Sequence, residues 1–204
     1  MNKYVDILYA FAVRHRNFLI DVFKFFFLLQ TLVLLIGAWS IYTRNFYWPL
    51  FYDIGKNSGE IAILFFIFSS IPGIVRRFGY FNKLVSIFMI FRRYTGIATY
   101  LFVLIHSSFV RIVPWIARIF PLYPVEVFVL FGVAAHLLLF LLFITSNDLS
   151  INKLGIWWHR IHNLMYLIVW IIFLHVALVK ISIWTILIGA TAIAQAASFI
   201  KRRI

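Results

Sequence analysis

Apolar residues in this chain fall into long blocks, and the polar, charged, glycine and proline residues are gathered in the short segments between them. A membrane-spanning helix needs about 20 mainly apolar residues. By that measure the blocks give six candidate spans, at 18–42, 59–75, 94–113, 125–146, 162–180 and 182–200. The pattern predicts an all-α fold, an integral membrane bundle of six transmembrane helices forming a single domain over 1–204. The first block opens only after Arg14, His15, Arg16 and Asp21 and ends without a small-residue cleavage pattern. It is too long for the apolar core of a signal peptide, so it is expected to stay as a span. The stretch Phe78 to Phe91 is apolar but short and carries Lys83, and it reads as an interfacial helix along the inner surface.

Composition agrees with this pattern. Hydrophobic residues make up 64% of the chain and charged residues 12%, more apolar surface than a water-soluble domain of this length could bury. The net charge of +13 follows the loops. With the N-terminus inside, the inner segments hold Lys3, Arg14, Arg16, Lys24, Arg76, Arg77, Lys83, Arg92, Arg93, Lys153, Arg160, Lys201, Arg202 and Arg203, and the outer segments hold Arg44, Lys56, Arg111, Arg118 and Lys180. That bias predicts that both termini are cytoplasmic. The basic residues form no patch interleaved with aromatics, so nucleic acid is not an expected partner.

Three histidines lie inside or at the edge of the apolar blocks: His106, His162 and His175. An ionisable ring in hydrocarbon is costly without a partner, which makes each a candidate functional residue. Spans three and five both run from inside to outside in this topology, starting after Arg93 and Arg160. At about 1.5 Å per residue, His106 stands roughly 20 Å above Arg93 and His175 roughly 22 Å above Arg160. Two imidazoles at one depth on parallel helices suit the two faces of a six-coordinate haem b. His162 belongs near the inner surface, where a second haem would need an unusual ligand, a water, a single axial histidine or His159. Arg92 and Arg93 at that level are candidates to pair with haem propionates. His162 and His175 are about 3.6 turns apart, so both face one cleft only if the helix is distorted or His162 precedes its regular part.

The chain has no cysteine, which removes disulfides, thiolate haem ligation, iron–sulfur clusters and covalent haem attachment. No glycine-rich phosphate loop or dinucleotide fingerprint appears, so NAD(P)H chemistry would belong to another polypeptide. His15 and His159 are expected to be solvated at the interface, and His136 to bond a Ser, Thr or backbone group of a neighbouring helix. Trp39, Trp48, Trp115, Trp157 and Trp158 are expected in an aromatic belt. Asp21 and Lys24 are expected to pair, and Glu60 to open span two at the positive end of its dipole.

The strings RRYTGIATYLFVLIH, ITSND, LGIWWHRIHNLMYLIVWIIFLH and SGEIAILFFIFSSIPGIVRRF resemble the ferric reductase-like transmembrane domain family. Within it, the pattern is most similar to the haem-binding membrane subunit of bacterial periplasmic methionine-sulfoxide reductase systems. The resemblance covers about residues 58–180 and rests on Arg92, Arg93, Gly96, His106, Thr145, Ser146, Leu154, Gly155, Trp158, Ile161, His162, Tyr166 and His175. It departs from the family pattern at Ile161 and Asn163 and in the extra His136 and His159. It implies a bacterial inner-membrane cytochrome b, with one or two haem b groups held by His106, His175 and His162. It also implies a cytoplasmic flavin reductase as donor, FMN or a quinone as intermediate, and a periplasmic molybdopterin reductase as acceptor. A metal or oxygen reductase acting at an outer haem is the alternative within redox chemistry. A transporter or non-redox scaffold is the alternative outside it; the lack of an internal repeat and of an intramembrane acid counts against the transporter, and three placed histidines would be a costly way to pack the helices of a scaffold.

Overall fold

The computed structural model describes residues 3–121 and 125–201, and among these every regular element is helical. A short helix, α1 (Lys3–Arg14), bends at His15 into α2 (Arg16–Thr43), and α3 (Trp48–Arg77) follows. Next come α4 (Lys83–Ser107), a π-helical turn (Ser108–Ile112) and α5 (Val113–Ile116), which form one continuous rod. The chain continues through α6 (Val127–Ile144), α7 (Asp148–Leu154), α8 (Ile156–His162), α9 (Met165–Val179) and α10 (Ile183–Lys201). Six of these runs are long and apolar enough to cross a membrane: Arg16–Thr43, Trp48–Arg77, Lys83–Ile116, Val127–Ile144, Ile156–Val179 and Ile183–Lys201. The all-α class and the six spans expected from the blocks therefore hold.

Two expectations about boundaries do not. The Phe78–Phe91 stretch is not a separate interfacial helix. Gly79, at φ 88°, makes the turn after α3, and α4 starts at Lys83 and runs unbroken through Arg92 into span three. The Asn82 side chain caps that start, accepting from Val85 N at 3.0 Å. Lys83 is met by Asp6 of α1 at 2.8 Å, so its charge does not interrupt the helix. Span two, in turn, begins at Trp48 rather than 59, led in by Pro49 in its first turn. Its polar stretch stays helical, with Lys56 and Asp53 paired at 3.0 Å one turn apart. Glu60 accordingly lies well inside α3, and the helix-dipole reason for its position falls away.

In a bilayer the lipid is as apolar as the side chains, so helices associate through close packing and small or hydrogen-bonding residues. The longest helix pairing is α3 against α4, and α9 packs against both α6 and α10. One core joins Phe66, Tyr100, Leu139, Ile168, Val169 and Ile188 across α3, α4, α6, α9 and α10. A second, on the other side of the bundle's length, gathers Ile41, Ile105 and Phe109. Buried serines in α3 satisfy themselves locally: Ser69 and Ser70 both donate to Phe66 O at 2.8 Å.

Candidate functional site

His106, on α4, and His175, on α9, come together. Their ring centroids are 6.4 Å apart and their planes are inclined at 77°. Each ring is held by a backbone carbonyl of a different helix. His106 Nδ1 lies 2.9 Å from Gly55 O of α3, and His175 Nδ1 lies 2.7 Å from Phe128 O of α6. A carbonyl can only accept, so both Nδ1 atoms carry the proton, and in the neutral ring the lone pair is on Nε2. That is the tautomer of a metal-ligating histidine whose other nitrogen is anchored to the protein.

Two glycines make this seating possible. A Cβ at Gly59 would stand 2.9 Å from His106 Nδ1, and one at Gly132 would stand 2.8 Å from His175 Cε1. Any larger residue would displace the rings. Immediately beyond His106 the helix widens into the π turn, a feature common at functional sites. The turn carries Phe109, fully buried, against Phe51 at 5.9 Å between ring centroids.

The geometry can be tested against the group that the sequence suggests. A metal bound at about 2 Å by each of two opposed imidazoles sets their ring centroids roughly 6 to 6.5 Å apart. The observed separation and the tautomers fit an axial pair. No group of three or more His, Cys, Asp or Glu side chains among the described residues could hold a metal ion. A metal held by this pair would come with further ligands of its own, as a haem iron does.

His162 is not at that site. It ends α8, and the chain restarts as α9 at Met165, so the helix of span five is broken between His162 and His175. Both histidines of this span lie against α6, with His175 at Gly132 and His162 at Thr145. The engaged nitrogen differs. Thr145 Oγ1 donates to Leu141 O at 2.8 Å and so accepts from His162 Nε2 at 3.1 Å. Trp158 stacks on the His162 ring at 4.1 Å and donates from Nε1 to Thr145 O at 2.9 Å. Trp158 is therefore a structural partner of His162 and not merely a belt residue.

Arg93 is paired with a carboxylate, and Arg92 has a thioether contact. Arg93 Nη2 meets Asp148 at 2.5 Å, and this guanidinium holds the Asp148 carboxyl below the usual carboxylate range. Arg92 Nη2 lies 3.4 Å from Met165 Sδ. His136 faces the tyrosine hydroxyl of Tyr100 rather than a Ser, Thr or backbone group, with Tyr100 Oη 3.5 Å from its Nε2. The His15 ring rests on Phe11, centroids 4.6 Å apart, and His159 stands edge-on to Trp158 at 5.1 Å.

Sequence reasoning missed the carbonyls of Gly55 and Phe128 and the roles of Gly59 and Gly132. The Gly55–Gly59 spacing, one helical turn, was the available signal, since small residues four apart let helices approach closely. It also missed Arg77, which donates to Ser198 Oγ at 2.8 Å and Tyr166 Oη at 3.0 Å. Compared with protein-family models, curated proteins and solved structures, the chain matches none.

Proposed function

We propose that this chain is a membrane cytochrome b, an electron-transfer subunit of the ferric reductase-like kind, in which His106 and His175 would hold a haem b. The observation that carries this reading is the histidine pair itself, with rings 6.4 Å apart and both Nδ1 atoms committed to carbonyls. Bound haem would supply one-electron chemistry that no side chain here provides. The chain's own part is to hold two neutral imidazoles at one depth, to fix their tautomers through Gly55 O and Phe128 O, and to keep them in apolar surroundings. Strengthening the Nδ1–H bond makes Nε2 a better donor and tunes the potential.

On this reading, electrons enter from a cytoplasmic reductant, a flavin reductase or a quinol, and leave at the opposite face to a periplasmic molybdenum methionine-sulfoxide reductase. Both termini face the cytoplasm, in line with the positive-inside bias, and the membrane is the bacterial inner membrane. FMN or a quinone as intermediate rests on the resemblance alone. His162, with its Nε2 given to Thr145, has Nδ1 left for an inner site. A purely structural role for the two outer rings is the competing reading, because each already has a hydrogen bond.

Optical spectra of the detergent-purified protein, oxidised and dithionite-reduced, separate the two readings. The redox reading expects a sharp b-type α band that is lost in His106→Ala and in His175→Ala. A colourless wild type, expressed with ample haem, would leave the rings as helix-packing groups.

A further inference from the structure

At the other end of the bundle, the basic residues outnumber their counterions. The chain has six acidic residues, and three of them, Asp6, Asp21 and Asp148, lie at this end. These are already paired, with Lys83, Lys24 and Arg93. Arg76, Arg77 and Arg92 take part in no ion pair among the described residues.

Of these three, Arg76 and Arg92 are exposed and Arg77 is drawn inward. Arg77 is half-buried and fixed in place by two hydrogen bonds, from Nε to the fully buried Ser198 and from Nη1 to Tyr166. Its guanidinium also lies over an edge-to-face aromatic pair, 5.0 Å from the Tyr166 centroid and 4.3 Å from that of Phe199. Arg92, on the neighbouring helix, has a thioether at 3.4 Å as its polar contact, a weak acceptor. Met165 is the chain neighbour of Tyr166, so Arg77 and Arg92 approach the same first turn of α9. Lys201 adds a fourth cation beside the same helix ends, 5.7 Å from the Phe78 ring and 5.8 Å from that of Tyr80. One turn before Ser198, the buried Gln195 leaves its Oε1 atom without a hydrogen-bond partner.

Like charges gathered at the rim of a membrane bundle, one of them immobilised, are unfavourable unless an anion shares the site. Three unpaired guanidiniums suit a phosphate, whose oxygens accept several N–H donors in bidentate geometry. The cluster lies at the C-terminal ends of α3 and α10 and the first turn of α9, which on the positive-inside reading is the level of the lipid headgroups. Basic pockets between transmembrane helices at this level bind anionic headgroups.

We propose that the basic cluster of Arg77 and Arg92 beside Tyr166, with Arg76 and Lys201 at its rim, is a binding site for the phosphate headgroup of an anionic phospholipid. The bound phosphate completes the charge balance that the chain's own carboxylates leave open and ties the C-terminal end of α10 to α3. The site stands independently of the haem reading, since none of these residues reaches His106 or His175.

Native mass spectrometry of the full chain in detergent, with phosphatidylglycerol or phosphatidylcholine added in turn, is the test. The wild type should retain phosphatidylglycerol selectively. Arg77→Gln and Arg92→Gln should each weaken that retention about fivefold, the usual contribution of one basic residue at an anionic surface, while Lys153→Gln leaves it unchanged. Equal retention of the two lipids by the wild type would overturn the proposal without recourse to any variant. Displacement of the lipid by inorganic phosphate would overturn the choice of a lipid and assign the site to a soluble phosphate ligand. Loss of haem absorbance in Arg77→Gln with lipid retention intact would overturn it too, and would give these arginines to haem carboxylates.

Discussion

His175 and His162 sit on the same span, against the same partner helix, yet the structure uses them in opposite ways. His175 spends Nδ1 on a carbonyl, which leaves the lone pair on Nε2; His162 spends Nε2 on a threonine hydroxyl and has an indole stacked on its face. The difference comes from what α6 offers at each level. At Phe128 and Gly132 it offers a carbonyl and the space left by a missing side chain, so a ring can press close to the backbone. At Thr145 it offers a hydroxyl whose own proton is already committed to Leu141 O. The lesson is that a histidine's position in a span does not fix its role; the atom presented by the opposing helix selects the free nitrogen.

That contrast can be broken directly. The largest effect is expected from His175→Ala and His106→Ala, each abolishing the reduced α band, while His162→Ala keeps it; the measurement is the reduced-minus-oxidised spectrum. Equal loss in all three would erase the distinction. Next comes Gly132→Ala, whose Cβ would stand 2.8 Å from His175 Cε1. Overpacking of this kind costs about 1–3 kcal/mol. It should lower haem content and thermal stability together, whereas Gly96→Ala, with nothing within 4 Å of the added Cβ, should change neither.

Thr145→Val sharpens the other half of the comparison. It leaves the His162 Nε2–H without its acceptor, at a cost of about 1–3 kcal/mol for a buried unsatisfied group. Thermal unfolding should report that loss while the spectrum of the outer pair stays unchanged. The smallest effect concerns Arg93 and Asp148. The folded-state pKa of Asp148 is depressed, so the pair's contribution is present above the ordinary carboxylate value of about 4 and is lost as pH falls below it. Asp148 is exposed, and the contribution is small. The melting temperature should show no dependence on Asp148→Asn below that pH and only a slight one at neutral pH.

The number of spans was legible because a bilayer accepts few alternatives to a helix about 20 residues long. Their ends were not, since helices α3 and α4 run through residues that look like breakers. Asp53 and Lys56 neutralise one another, and Lys83 is neutralised by Asp6, a residue 77 positions away. The pairing of His106 with His175 was legible from depth, counted from the arginines below them. Their tautomers were not, because the deciding carbonyls belong to other helices and every residue has a carbonyl. The division of labour between Arg92 and Arg93 was likewise hidden. Adjacent residues on a helix point about 100° apart, and only the tertiary fold shows that one meets Asp148 and the other Met165.

The central claim, two histidines holding one haem, is tested most directly by low-temperature electron paramagnetic resonance of the oxidised, purified protein. Axial imidazoles inclined at 77° predict a low-spin ferric signal of the strongly anisotropic type given by near-perpendicular ligand planes, absent in His106→Ala and in His175→Ala. A high-spin, five-coordinate signal, or no ferric haem signal from protein made with ample haem, would contradict it.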